Sequence, residues 1–217
     1  MLVLAIDTST PAVTAGLATL ERADVSVLAE RVTVNARAHG ELITPHVVEV
    51  LEEAGHTLAD LDAIVCGVGP GPFTGLRAGM ATAGAFGHAL GIPVYPVCGH
   101  DAIAAVALPG EQFLVVTDAR RREVYWASYD ANGKRLDGPK VREPGDLGFA
   151  VAAGDGARQY AEKLGVRVVE PYYPSTGGLV TVAKRELVAG TPPEPLTPLY
   201  LRRPDAVEPA ARKRVTA

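Results

Sequence analysis

Ala63-Ile-Val-Cys-Gly-Val-Gly-Pro-Gly-Pro-Phe-Thr-Gly-Leu-Arg-Ala-Gly79 reads as a buried strand, a tight loop and the start of a long helix of small residues. Gly69, Gly71 and Gly75 allow positive φ or close approach to a ligand, and Pro70 and Pro72 stiffen the loop. Thr74 is placed to cap a helix that opens at Gly75 or Leu76. Backbone N–H groups gathered at a helix N-terminus suit an anion, so phosphate is the first ligand to consider. No Gly-Lys-Ser/Thr follows the glycines, as a Walker A loop requires, and the Gly-x-Gly-x-x-Gly spacing of a dinucleotide turn is missing. A tight strand-to-helix connection without a ligand explains the same residues, and the glycines alone leave both readings open.

Upstream, the first seven residues form an apolar run that ends in Asp7-Thr-Ser-Thr10, and alternating strands follow at Ala12–Leu20 and Val25–Val34. Leu42, Ile43, Val47, Val50, Leu51 and Ala54 recur at helical spacing before Gly55, which predicts an amphipathic helix over Gly40–Ala54. Downstream of the glycine loop, the helix runs to about Leu90 and a strand covers Ile92–Val97. A second start appears at Gln112-Phe-Leu-Val-Val-Thr-Asp118, again a strand ending in aspartate, followed by the alternating Val124–Tyr129. Further strands are expected near Leu136–Val141 and Phe149–Ala153, then Gly154-Asp-Gly156, a helix over Ala157–Leu164 and a strand at Arg167–Val169. Two lobes that each open strand, aspartate, turn, strand have the layout of the two-lobed actin-like ATPase and sugar-kinase fold, an α/β class in which each lobe is a mixed sheet with helices. The expected divisions are residues 1–105, 106–195 and a proline-rich basic tail over 196–217.

Composition narrows the function classes. With 217 residues, 47% of them hydrophobic, the chain can bury a sizeable core. A net charge of −4 argues against binding nucleic acid by bulk charge. Met1–Asp7 lacks a basic n-region and reaches a carboxylate quickly, which argues against a secretory signal. The longest uncharged stretch, Ala78–His100, holds Pro93, Pro96 and several glycines, so no spanning helix is expected. A soluble cytoplasmic protein without a membrane partner follows as the expectation. Cys66 and Cys98 lie in apolar segments and read as a pair of buried thiols.

Several motifs occur together in one order: Leu4-Ala-Ile-Asp-Thr-Ser-Thr10, Arg37-Ala-His39 leading to Leu42-x-x-Pro45, Asp60-Leu-Asp-Ala63, Gly69-Pro-Gly-Pro-Phe-Thr-Gly-Leu-Arg77, Asp118-Ala-Arg with Glu123-Val-Tyr125, and Pro198-Leu-Tyr-Leu-Arg202. They resemble the TsaB (YeaZ) family over almost the whole chain. The resemblance implies a non-catalytic partner of the related TsaD transferase in making threonylcarbamoyladenosine in tRNA. A TsaE-type ATPase would join the pair, TsaC would supply threonylcarbamoyl-adenylate, and tRNA would be reached indirectly through the complex. It also implies an interface on two helices, used by TsaD or by a second copy when TsaD is absent. That interface maps to Leu42, Pro45, His46 and Glu49 on the first helix and Arg77, Gly79, Met80, Ala83 and Gly87 on the second.

The residues weigh against two other labels. A zinc peptidase needs two histidines about one helical turn apart, whereas His39 and His46, seven residues apart, would lie about 10 Å apart along a helix. His56, His88 and His100 have no ligand-spaced partner, so no metal and no catalytic residue is assigned. A kinase of this fold wraps phosphate with glycine-rich turns, yet Asp7-Thr-Ser-Thr10 and Asp118-Ala-Arg-Arg-Arg-Glu123 contain no glycine. Asp7, Thr8, Ser9, Thr10, Gly69, Gly71, Thr74, Gly75, Asp118, Gly154 and Gly156 are therefore read as vestigial nucleotide loops. No cofactor is expected to bind tightly, with weak ATP or ADP binding within the complex as the most retained. Arginines 120–122 suit either phosphate oxygens or a solvated hairpin turn. Gly79, Ala83 and Gly87 fall on one helical face, suited to close approach either by another molecule's helix or by the chain's own sheet. A small-molecule or carbohydrate kinase remains as the alternative function, and direct tRNA binding rests only on the basic tail.

Overall fold

Alternation along the first strand sets the architecture. The computed structural model describes residues 1–202 apart from 23 and 146. In β1 (Leu2–Asp7), Leu2, Leu4 and Ile6 enter one hydrophobic cluster while Val3 and Ala5 enter another on the opposite face. A strand buried on both sides is central. β1 pairs antiparallel with β2 (Ala12–Glu21), which pairs antiparallel with β3 (Asp24–Val34). On its other side β1 runs parallel to β4 (Ala63–Gly67), and β4 runs parallel to β5 (Val94–Val97). The sheet order is β3-β2-β1-β4-β5.

The second sheet repeats the plan in the order β10-β9-β6-β7-β8. β6 (Phe113–Asp118) and β7 (Val124–Tyr129) form an antiparallel hairpin extended by β8 (Arg135–Arg142). β9 (Val151–Ala153) and β10 (Arg167–Val169) add parallel strands on the other side. The expected helix over Ala157–Leu164 is instead two short ones, α4 (Asp155–Gln159) and α5 (Ala161–Leu164), separated by Tyr160; they are numbered after the helices that precede them in the chain.

α1 (His39–Ala54) and α2 (Phe73–Leu90) lie together on one face of the first sheet, where Ile43, Val47, Val50, Leu76, Met80 and Ala83 join the first cluster. Its other face is covered by α3 (Gly99–Ala107) and α6 (Thr176–Ala189), through Ala102, Leu179, Val180, Ala183 and Leu187. α3 also turns Ile103 and Ala104 into the second sheet's core, against Phe113, Val115 and Tyr129. It is the buried joint between the lobes. The division expected at residue 195 assigns 176–189 to the second lobe, but α6 packs on the first sheet and the chain closes back onto the lobe it started from. Leu196, Leu199 and Tyr200 likewise pack against the first lobe's core. The basic tail from residue 203 onward lies outside the described residues.

Candidate functional site

Both aspartate turns and the glycine loop come together at the junction of the lobes, but the first turn is sealed. Asp7, Thr8, Ser9 and Thr10 are each at most 3% exposed. The Asp7 carboxylate accepts hydrogen bonds from the Ser9 N–H at 3.0 Å and the Ser9 hydroxyl at 2.9 Å. Gly71 sits directly on the Ser9 carbonyl, so a Cβ there would collide with backbone. Thr8 acts as a bracket: its hydroxyl donates to the Gly75 carbonyl at 2.7 Å and accepts from the Gly79 N–H at 3.0 Å. The hydrogen bonds of Asp7–Thr10 are made with one another, with the Ala12 N–H, and with His39 of α1 and the Gly75 and Gly79 backbone of α2. Thr74 is exposed and does not cap; α2 opens at Phe73 with Pro72 at the N-cap. Gly69 takes φ of +103°, and its carbonyl accepts from the Gly99 N–H at 2.8 Å.

The second turn is more open. The Asp118 carboxylate accepts from the Arg120 N–H at 3.1 Å, and the Ala119 N–H donates to the Glu123 carbonyl at 3.0 Å, closing the β6–β7 hairpin. Gly154 and Gly156 allow the β9–α4 turn to lie on the β6 backbone at Val116 and Thr117. Close packing accounts for both glycines, and both are buried.

A C-terminal strap, seen in sequence only as part of a resemblance, crosses this junction. The Leu199 N–H donates to the Val68 carbonyl at 2.8 Å, and Arg77 Nε donates to the Tyr200 hydroxyl at 2.8 Å. Arg202 reaches the other lobe, donating to the Ala119 carbonyl at 2.9 Å and pairing with Glu123. Between strap, glycine loop and second turn lies a cavity of about 310 Å³, lined by Phe73, Tyr125, Tyr200, Arg120, Arg121 and Arg202 among others. A second cavity of about 250 Å³, reaching Thr8, His39 and Gly75, shares Pro72, Phe73 and Arg120 with it.

The expected interface residues divide by exposure. Pro45, Glu49 and Arg77 are exposed and Leu42 is half-buried, but His46, Gly79, Met80, Ala83 and Gly87 are buried. A Cβ on Gly79 would strike Thr8, and one on Gly87 would strike Val94, so this glycine face lets α2 settle onto its own sheet. That corrects the reading of Gly79, Ala83 and Gly87 as a seam for another molecule. The exposed side of α2 is a different stripe, Ala81, Ala85 and Ala89 with Arg77 and His88 beside it; on α1, Glu41, Val48 and Glu52 are exposed. Leu76 and Met80, the buried bulky residues of α2's first half, fix its phase, whereas Phe73 at its start is exposed.

The histidines and cysteines serve locally. His39 Nε2 donates to the Thr10 carbonyl at 2.8 Å, and His46 Nε2 hydrogen-bonds the Thr33 hydroxyl at 2.9 Å. Burial pushes His100 down to about 3, so it is neutral at pH 7, with Nε2 2.8 Å from the Thr117 hydroxyl. Both cysteines are free; Cys66 is buried as expected, whereas Cys98 is only half-buried. Among the described residues, no three or more His, Cys, Asp or Glu side chains gather where they can hold a metal ion. None of the described helices is long and apolar enough to cross a membrane.

Two carboxylates carry a pH dependence. Burial raises Asp7 to about 6, against the opposing Ser9 hydrogen bonds, and raises Asp155 to about 6 with help from the charge of Asp118. Above its ordinary pKa each is ionised in the unfolded chain while the folded protein still holds the proton, so stability from these groups falls as pH climbs from about 4 through 6. Relative to wild type, Asp7→Asn and Asp155→Asn should each gain on the order of 1–2 kcal/mol between pH 4.5 and 7.5. Urea unfolding at the two pH values checks this, and a difference that does not change with pH would contradict it.

Comparison with known proteins gives a consistent result. The family model described as TsaD, tRNA N6-adenosine threonylcarbamoyltransferase, matches residues 26–183. An uncharacterised protein of Mycobacterium tuberculosis is 57% identical over 206 residues, 94% of this chain and 93% of its own. The tRNA threonylcarbamoyladenosine biosynthesis protein TsaB of Escherichia coli is 37% identical over 147 residues, 61% of this chain and 58% of its own. Among solved structures, YeaZ from Pseudomonas aeruginosa superposes with a TM-score of 0.76 at 28% identity, covering 92% of this chain and 99% of that one.

Proposed function

The chain belongs to the TsaB (YeaZ) family, and from that premise we propose that it is the scaffold subunit of the assembly that transfers a threonylcarbamoyl group to adenosine in tRNA. The observation that carries a non-catalytic role is the sealed first turn. Asp7–Thr10 are each at most 3% exposed and Gly71 occupies the space over Ser9, so the turn that faces phosphate in a kinase of this fold keeps its carboxylate closed off and meets open space only at the edge of the smaller cavity, at Thr8 and Thr10. The same closure weighs against the carbohydrate- or small-molecule-kinase alternative.

In this reading the chain docks a TsaD-type transferase through the outer faces of α1 and α2. Alanines at 81, 85 and 89 give α2 a flat exposed stripe, which allows close helix approach, and Val48 adds apolar area. A second copy takes the same face when the transferase is absent, and a TsaE-type ATPase joins the pair. Nucleotide binds this chain weakly, if the partner completes a site, and the assembly works in the cytoplasm.

Omitting the chain from a reaction reconstituted with TsaC-, TsaD- and TsaE-type proteins should abolish multiple-turnover modification of tRNA. Full modification in its absence would refute the assignment.

A further inference from the structure

We infer that the proline-rich segment over residues 191–198, which leads from α6 into the strap, is a third element of the docking face, and that its proline edge takes aromatic side chains of the transferase that α1 and α2 dock. The inference rests on the docking reading above and adds to it a surface and the chemistry that recognises it.

Thr191-Pro-Pro-Glu-Pro-Leu-Thr-Pro198 restrains its own backbone. Each proline holds φ near −65° and biases the residue before it towards extended or polyproline II backbone, so every position here except Leu196 is constrained. Residues 191–200 enter no helix or strand. At about three residues per turn, Pro192, Pro195 and Pro198 share one edge of such a chain, while Leu196 and Leu199 share another. Packing follows that period: Leu196 and Leu199 sit against the first lobe's core, whereas residues 191–195 and Thr197 are exposed and Pro198 is half-buried. Both ends are tied, since the Tyr95 hydroxyl donates to the Thr191 carbonyl at 3.1 Å and the Leu199 N–H donates to the Val68 carbonyl at 2.8 Å. A preformed proline edge loses little entropy on binding, and aromatic-lined surfaces are what read it.

Its position beside α2 assigns the partner. Leu196 Cδ1 lies 3.7 Å from where a Cβ on Gly84 would stand, and Arg77 Nε donates to the Tyr200 hydroxyl at 2.8 Å. Arg77 and Gly84 stand about two turns apart on one flank of the helix, a rise of about 10 Å. Leu196 and Tyr200 span about 12 Å of extended chain. The segment therefore runs antiparallel to α2, along the border of the exposed stripe of Ala81, Ala85 and Ala89. Area points the same way. A stable pair buries about 800 Å² on each partner, around a core poor in charge. The outer face of α1 exposes Glu41, Glu49, Glu52 and Glu53 with Val48 as its large apolar residue, and the stripe on α2 offers alanine methyls. Rigid proline rings next to that stripe supply apolar surface that the two helices lack.

Titration calorimetry between the full chain and the purified TsaD-type transferase tests the proposal. Pro192→Ser, Pro195→Ser and Pro198→Ser together leave Leu196, Leu199 and Tyr200 as anchors, so the melting temperature should be kept. The dissociation constant should rise about tenfold or more. A photoreactive benzophenone side chain at position 197, in the otherwise unchanged chain, should crosslink to the transferase and locate the aromatic residue opposite. Replacing that residue by alanine should weaken binding of the wild-type chain about tenfold and of the triple variant hardly at all, because the two changes remove one contact. Should the triple variant melt lower, the crosslink from position 197 decides by itself. Unchanged affinity in the folded triple variant, or a complex that forms without any crosslink from position 197, would overturn the proposal. If Ala85→Glu weakens binding and the proline changes do not, this inference falls and docking through α1 and α2 stands. If neither weakens it, the docking reading falls as well.

Discussion

Ala83→Glu is expected to unfold the protein. Ala83 is fully buried on the face of α2 that carries Leu76, Met80, Gly79 and Gly87, and it shares a cluster with β1 and α1. A glutamate there must bury a carboxylate among apolar side chains and displace them as well. Burying a charge without a partner costs several kcal/mol, and overpacking adds about 1–3 kcal/mol. Together these approach the whole stability of a typical domain, roughly 5–15 kcal/mol. Near-UV circular dichroism and thermal melting should show loss of the cooperative transition. A folded variant melting near the wild-type temperature would mean that this face of α2 is not the one against the sheet.

The inward placement of that face shows where sequence reading fails. Glycines and alanines spaced four apart permit close approach, but they do not say what approaches. Thr8 and Val94, supplied by β1's end and β5, take the space in this fold. The closure of the Asp7 turn is likewise non-local. Its polar atoms satisfy one another and the Gly75 and Gly79 backbone, partners that lie more than 60 residues away in the chain, which makes the turn buriable.

The strands were the legible part. β4 occupies the expected Ala63–Gly67, and β1, β6 and β7 fall within a residue of their expected positions because their apolar runs end in aspartate or turn residues. Two helices were not foreseen. α3 is sandwiched between both sheets, so Ile103 and Ala104 face one core and Ala102 the other, and no polar stripe reveals its period. α6 opens with Thr176-Gly-Gly178, a weak helical start, although Ser175 caps it by accepting from the Gly178 N–H at 3.2 Å. Leu179, Ala183 and Leu187 at i, i+4 and i+8 were the available signal. The strap from Leu199 to Arg202 depends on contacts across more than 80 residues of chain, which no local pattern encodes.

Ala85→Glu, one turn along α2 from its exposed neighbour Ala81, should behave in the opposite way to Ala83→Glu. Its side chain faces outward, so the fold and melting temperature should be kept. In the docked assembly, however, the same carboxylate would sit in the small-residue stripe that the transferase approaches. A charge buried there without a partner costs about 2–5 kcal/mol, which is roughly 100-fold or more in affinity. Titrating the folded variant into the reconstituted modification reaction is the most direct test of whether the chain acts by docking. The scaffold account predicts that half-maximal activity needs about 100-fold more Ala85→Glu than wild type, with the same plateau once the partner is saturated. Half-maximal activity at the wild-type concentration would contradict it.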